Sequence, residues 1–426
     1  MNIRRLILTA LLGTSMLARA QGPVVTSWVF NTTGLTGYNC SGCSTPHYGT
    51  IPANITSVSY TTTDAYITCA SIPSYNIGPW TGNPNIPSDQ GYIIKLTRNP
   101  VKNTGTLLQT PMGKCGLWSN GVTIYNPKDG YYWDTTTHAF ANSPGVTAAW
   151  NRNAYIYEAV SFDACLGHPD QSGSYHNHVN PKCLYDASAT TVHSPIIGYA
   201  FDGYPVYGAY AYTDTNGTGP IKRMVSSYVL TTATTRTGGP TMAMYAAGSF
   251  CEDYVYTAGA GDLDEHNGRY CVTPEYPSGT YAYFVTLDAS GNPAYPFVLG
   301  PTYYGTVQSG NTGPGAGHNT VPGGATPYVP PTTAIAEVNS TTNSVSVYPN
   351  PVASDNIRFH IDNNNNDLNV TIIDFQGRVL VSRHYVVGAY TNDMSLSAPY
   401  LSAGVYLIHF ETAGQKIVKK LEILED

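Results

Sequence analysis

The sequence predicts a mainly β chain: a large disulfide-containing β-rich domain, then a flexible linker and a small β-sandwich. Three observations predict it. Only 11% of the residues are charged, while Gly, Pro and Tyr number 42, 30 and 35, a composition of turns and half-buried aromatic strands rather than of helices. Short runs such as VSYTTTDAYITCA and GYIIKLTRNP alternate with period two, carry β-branched or aromatic residues and are punctuated by Gly, Pro or Asn. All eight cysteines lie between Cys40 and Cys271, so cross-linking is confined to the first unit and the last part folds without it.

Residues 1–20 read as an export signal. Arg4 and Arg5 precede an apolar run from Leu6 to Leu17, and Ala18-Arg19-Ala20 satisfies the small-x-small cleavage rule, leaving Gln21 as the mature terminus. That run is too short to span a bilayer and no later stretch offers about 20 consecutive apolar residues, so an exported chain without a transmembrane segment is expected. The net charge of -7 comes with no basic stripe, which argues against nucleic acid as a partner. An even cysteine count in an exported chain reads as up to four disulfides. The expected pairs are Cys165 with Cys183 and Cys251 with Cys271; Cys40-x-x-Cys43 has the spacing of a redox pair, but outside the cytosol it is expected to feed separate bridges to Cys69 and Cys115.

Residues 21–305 form the β-rich domain in this reading, and they concentrate coordinating chemistry between Asp163 and Asp202. Four of the eleven histidines fall there: His168, His176, His178 and His193. His176 and His178, at i and i+2 of an extended strand, project from one face about 6.5 Å apart. His168 lies across the Gly173 turn, a distance a hairpin closes, which completes a three-histidine set of the kind that binds zinc or copper. His193 is a further candidate ligand. Asp163, Asp170 and Asp202 are candidates either to bind the ion or to accept the second ring N–H of a ligating histidine. The bland alternative is a hydrogen-bonded structural pair. Trp118, Tyr131, Tyr132, Trp133 and Trp150 precede the histidines and are expected to wall the site.

A second cluster holds Asp262, Asp264, Glu265 and His266, followed by Glu275 in a Pro-bounded loop. With Asp202, Glu265 and Glu275 are the candidate proton carriers of a catalytic centre. The chain lacks a Gly-x-Ser-x-Gly elbow, an HExxH helix and the glycine patterns of nucleotide sites. A metal-free hydrolase pairing Asp202 with His193 is a weaker reading.

Residues 306–342 are rich in Gly, Pro, Thr, Asn and Ser, the composition of a linker. From 343 to 426 several alternating strands are separated by turns such as Gln376-Gly377 and Ala403-Gly404, about right for a small sandwich.

Two resemblances attach to these residues. Tyr175-His176-Asn177-His178, with Gly167-His168-Pro169 before it, Pro181 and Cys183 after it, and the blocks HSPIIGYAFDGYPVYG, LDEHNGRY, TPEYPSGTYAYFVT and YPFVLGPTYYG following, resembles the YHYH-domain proteins over roughly residues 80–305. Asn177 departs from the second tyrosine of that name, at a position that points away from the two histidines in an extended strand. The resemblance brings no reaction with it, so a metal role rests on spacing. Tyr348-Pro349-Asn350-Pro351, Asp374-Phe375-Gln376-Gly377-Arg378, Leu401-Ser402-Ala403-Gly404-Val405-Tyr406 and the basic Lys416–Lys420 stretch resemble the type A C-terminal sorting domain of the type IX secretion system of Bacteroidota. That likeness implies an immunoglobulin-like β-sandwich sorting domain, passage through the periplasm, recognition by the outer-membrane translocon, and release or attachment at the cell surface. His360, His384 and His409 are assigned to no site.

The leading expectation is an exported metal-binding protein with a histidine-centred copper or zinc ion, and an enzyme if a proton carrier attends it. The alternative is a non-catalytic surface module that binds a glycan or another extracellular polymer on tyrosine and tryptophan faces. Polymer binding of that kind survives a chelator and metal chemistry does not.

Overall fold

The structure, a computed structural model, describes residues 21–32, 34–38, 40, 42–43, 49–142, 150–313, 315–330, 345–352, 356–361, 367–374, 378–385, 393–398, 401, 403–412 and 415–424. The expected export signal, the Gln376-Gly377 turn and residues 331–342 of the expected linker lie outside these. Two compact units emerge, residues 27–182 with 190–328, and a second containing 329–426.

In the first unit, β1 (Ile55–Tyr60), β2 (Asp64–Cys69) and β3 (Tyr92–Thr97) form an antiparallel sheet. The run VSYTTTDAYITCA holds a hairpin, because Thr61 Oγ1 accepts the N–H groups of Thr63 and Asp64 and turns the chain there. Val58, Ala65, Ile67, Ile94 and Leu96 supply its buried face.

Residues 306–330 correct the expectation of a flexible linker. The side chain of Asn311, fully buried, bonds both the N–H and the carbonyl of Lys95. Thr326–Pro327 pairs with β1, Tyr328 N–H donates to Val58 O, and the Tyr328 ring packs on Phe30. Gly, Pro and Asn serve here as turn residues that keep backbone polar groups paired along a sheet, a use that composition does not distinguish from a linker.

The site is built on a mixed eight-stranded sheet. Its strands are β4 (Lys114–Trp118), β5 (Thr123–Tyr125), β6 (His168–Pro169), β7 (Tyr175–Asn177), β8 (Ile196–Ala200), β9 (Pro205–Tyr207), β10 (Gly268–Cys271) and β11 (Thr280–Phe284). The spatial order is β6-β7-β5-β4-β8-β9-β11-β10, with β7 parallel to β5 and β9 parallel to β11. Every residue of β8, β9 and β11 is buried, so the centre of the sheet is covered on both faces and the period-two pattern vanishes there. Trp118, Tyr199, Tyr207, Tyr281, Tyr283 and Tyr303 fill this core. Buried phenols need acceptors, and carboxylates supply several of them: Tyr207 donates to Glu275, Tyr281 to Asp264 and Tyr283 to Asp202.

The cysteines depart from expectation. Cys40 is bridged to Cys43, Cys165 and Cys183 are both disulfide-bonded as their expected pairing requires, and Cys69, Cys115, Cys251 and Cys271 are buried free thiols. The Cys251–Cys271 bridge and the bridges from Cys40 and Cys43 to Cys69 and Cys115 are therefore absent. Burial pushes the Cys69 thiol up to about 12, and Cys115 and Cys251 turn their sulfurs toward Ile124 O and Pro127 O; these are packed, inert thiols.

The second unit is a sandwich of two sheets. Its strands are β12 (Val345–Tyr348), β13 (Asn356–Ile361), β14 (Leu368–Ile373), β15 (Val379–Tyr385), β16 (Asp393–Ser397), β17 (Gly404–Thr412) and β18 (Gln415–Ile423). They are ordered β12-β13-β16 and β15-β14-β17-β18. Ile357, Phe359, Ile361, Val370, Ile372 and Phe410 interdigitate between the sheets, the arrangement expected of strands that alternate polar and apolar faces.

Candidate metal centre

Local chemistry folds the hairpin before any ligand is considered. Asp170 Oδ1 accepts the N–H groups of Ser172 and Ser174 and the Ser172 hydroxyl, which ties the turn from β6 to β7. Gly173 sits at φ +80°, and a Cβ there would lie 2.3 Å from Ser88 Oγ, so glycine is required twice over. The loop before β6 is tied by Asp163. Its Oδ1 accepts from the Cys165 and Gly167 N–H groups, and its Oδ2 from Gly78 N–H, Trp80 Nε1–H and the Tyr175 hydroxyl. Antiparallel pairing then sets His168 directly opposite His176.

Three imidazoles converge as a result. His168, His176 and His178 are 5%, 2% and 4% exposed, and one ring nitrogen from each lies within 4.8 Å of the others. The Nε2 atoms of His176 and His178 are 3.1 Å apart. Each Nδ1 has its own acceptor. His176 Nδ1–H donates to Ser174 O at 3.0 Å and His178 Nδ1–H to Asn126 O at 2.6 Å. His168 Nδ1 is 2.8 Å from Ser161 Oγ, whose own proton goes to Glu158 O, so His168 is again the donor. In the neutral rings all three Nε2 atoms therefore carry bare lone pairs.

A carboxylate that sequence reasoning missed closes the group. Glu158 Oε2 lies 3.1 Å from His178 Nε2 and 3.7 Å from His168 Nε2. Glu158 ends α1 (Ala154–Tyr157), a single helical turn capped by the Asn153 side chain. Among the described residues, His168 Nε2 is buried without a hydrogen-bond partner, and Glu158 Oε2 meets no donor beyond these ring nitrogens. Such orphans are rare in a folded protein unless an ion or water serves them. Burial and the neighbouring His176 and His178 lower His168 to about 2, and burial with His178 holds His176 well below the ordinary range. Burial opposes protonation of His178 too, yet Glu158 and the Asn126 carbonyl together raise it. Burial also opposes ionisation of Glu158, and the histidines with Arg152 outweigh it and lower its pKa.

The walls differ from those expected. Tyr125 stacks on His176 at 3.7 Å and anchors its hydroxyl on Asp170, and Phe162 packs against His168 and His178. Trp118 is a core residue, while Trp133 and Trp150 pack with Phe140 and Phe250 instead.

The other expected site residues lie outside the group of three. His193 packs between Tyr207 and Tyr212, donates through Nδ1 to Ser194 O and is lowered by burial to about 4. Asp202 is fully buried; its oxygens accept from Tyr283 OH and the Gly305 and Tyr204 N–H groups, and burial raises it to about 6. Glu275 accepts from Tyr207 OH, and the half-exposed Glu265 lies 3.8 Å from His266. Asp163 and Asp170 hold backbone and the side chains of Trp80, Tyr175 and Tyr125 instead of orienting the imidazoles; Ser161, Ser174 and Asn126 take that role. Asn153 followed by a short aromatic run signals a helical turn ending at Glu158, but nothing local signals what that turn faces.

Comparison with known families gives two matches. Residues 93–295 match the family described as YHYH protein, and residues 346–424 match the secretion system C-terminal sorting domain. No curated protein matches the chain. The sorting match implies export with a type IX secretion system as partner, and no helix among the described residues is long and apolar enough to cross a membrane.

Proposed function

We propose that this chain, a YHYH-domain protein with a C-terminal type IX sorting domain, is an exported metal-binding protein. In this reading His168, His176 and His178 hold one copper or zinc ion through Nε2. One observation carries it: every Nδ1 proton is committed to an acceptor, so two bare Nε2 lone pairs face each other across 3.1 Å. Such a pair repels unless a proton or a cation lies between. Zinc–nitrogen bonds of about 2.0–2.1 Å in a tetrahedron place donors about 3.3 Å apart, close to this spacing, and imidazole suits zinc and copper alike.

A bound zinc ion would make a coordinated water acidic and copper would carry electrons. The chain's own contribution is to fix three rings, exclude bulk water behind Tyr125 and Phe162, and hold the Glu158 carboxylate at the mouth. Glu158 takes the proton-carrier role expected of Asp202, Glu265 and Glu275. The 1–20 export signal and an origin in Bacteroidota belong to the same proposal.

Elemental analysis of untagged protein tests the reading. Stoichiometric metal is expected in the wild type and none in a folded His176→Ala/His178→Ala variant. Equal, negligible metal in both overturns it.

A second reading has its own observation, a cleft whose partly exposed lining includes Tyr155, Tyr228, Tyr254 and Arg223 above the buried Tyr295 and Phe297. Aromatic faces beside a fixed cation suit a polymer with flat apolar and polar sides, such as a glycan. Glycan binding that persists in chelator and falls on Tyr254→Ala would favour it, and chelator-sensitive binding would count against it.

A further inference from the structure

Glu158 differs from the three histidines in how it is held. Each ring is fixed by its second nitrogen, the arrangement that orients permanent ligands. Glu158 is fixed only through its backbone: its N–H donates to Ala154 O, and its carbonyl accepts from Ser161 N–H and Ser161 Oγ. Among the described residues, the carboxylate oxygen nearest the rings meets only His178 Nε2 at 3.1 Å and His168 Nε2 at 3.7 Å, the nitrogens that would face the metal, so nothing outside the centre holds it. Its side chain is also the one that reaches solvent, 28% exposed against 6% and 4% for the side chains of His168 and His178. Two residues to either side, Ile156 and Val160 are 53% and 70% exposed, so this turn is the outer edge of the centre.

Charge decides what can stand in its place. Three neutral imidazoles leave a dication uncompensated in a buried setting, and the Glu158 carboxylate removes half of that charge. A replacement that is neutral forfeits the compensation, whereas an anion restores it. Arg152, the cation that also acts on Glu158, already bonds Asp129.

We infer that Glu158 covers an exchangeable coordination position, and that a small anionic oxygen or nitrogen donor, of the carboxylate or azide class, binds there by displacing it. The inference rests on the metal reading above. Exchange breaks one metal–carboxylate bond and forms one metal–anion bond, with no change of oxidation state and no proton moved. A site of this kind, with three fixed ligands and one yielding one, has the open position of catalytic centres rather than the closed shell of structural ones.

Cobalt(II) loaded into the full chain reports the geometry through its visible absorption, and azide is the probe anion. Glu158→Ala and the isosteric Glu158→Gln are expected to retain stoichiometric cobalt with no more than about a tenfold loss of affinity, and to bind azide at least tenfold more tightly than wild type. His178→Ala is expected to lose cobalt. Wild-type protein that takes up no cobalt overturns the metal reading itself. Cobalt uptake with equal azide affinity in wild type and both Glu158 variants overturns only the exchange. Loss of cobalt from folded Glu158→Gln as complete as from His178→Ala makes Glu158 a permanent ligand, which overturns the exchange as well.

Discussion

Metal-dependent stability gives the sharpest test, because its size follows from mass action and from the length of the unit that unfolds. An ion that binds only the folded state stabilises it by about 2.7 kcal/mol at a hundredfold excess over Kd and by about 4.1 kcal/mol at a thousandfold excess. The unit carrying the centre spans residues 27–182 and 190–328, about 300 residues, whose unfolding entropy is about 0.6 kcal/mol per kelvin near 60 °C. One kcal/mol then moves Tm by about 1.6 °C. The expected rise is about 4 °C at the first excess and about 2 °C for each further tenfold increase in free metal. Calorimetric scans with zinc or copper buffered by competing chelators measure that slope in wild type and in His176→Ala/His178→Ala. A slope near 2 °C per decade that vanishes in the variant supports the centre. A flat wild-type curve, or an equal slope in both proteins, refutes the reasoning; the latter would place binding elsewhere, for instance on the histidines of the tail.

Acidification should weaken metal binding through His178 alone, the histidine whose pKa stands above its ordinary value. Below that pKa the apparent affinity should fall about tenfold per pH unit and above it level off, with about one proton released in calorimetry across buffers of different ionisation heat; release of three protons would contradict the assignment. In the metal-free protein the sign reverses: the His178–Glu158 pair stabilises fully below the ordinary histidine pKa, and its contribution is lost as pH rises through the raised value. Arg236→Ala should cost about 3–5 kcal/mol in urea melts, because Arg236 and Asp253 form an ion pair with both side chains fully buried; a loss under 1 kcal/mol would mean that water or another cation replaces the guanidinium. Alkylation without reductant should modify none of the four free thiols in the native protein and four after denaturation; eight modified cysteines without reductant, or none, would exclude the disulfide pattern.

Much of the centre is legible along the chain. His-x-His on a strand, Gly173 in the connecting turn and His168 beyond it are near neighbours in sequence, and a hairpin is a local object whose geometry follows from backbone period and turn chemistry. The sandwich of the tail is legible for the same reason, its strands alternating cleanly because one face is wet. Legibility fails where partners are distant or where one composition serves two ends. Residues 306–330 carry the residues of a linker and use them to lie along β1 and β3. Asp202 and Glu275 look like acids awaiting a substrate and prove to be acceptors for tyrosine hydroxyls in the core. Cys251 and Cys271 sit at a plausible spacing and are packed apart as thiols.

By itself the sequence determined the mainly β class, the address carried by the tail, and a short hairpin rich in imidazole. Only the tertiary structure decided which acceptor holds each ring nitrogen, that His193 stays in a pocket of its own, and that Glu158 rather than any acid after the hairpin faces the three rings. The reason is that spacing along a strand is a covalent property. The meeting of Asn126, Glu158 and Ser161 around the histidines depends on how β5, α1 and the loop before β6 pack, and that is settled by burial across the whole sheet.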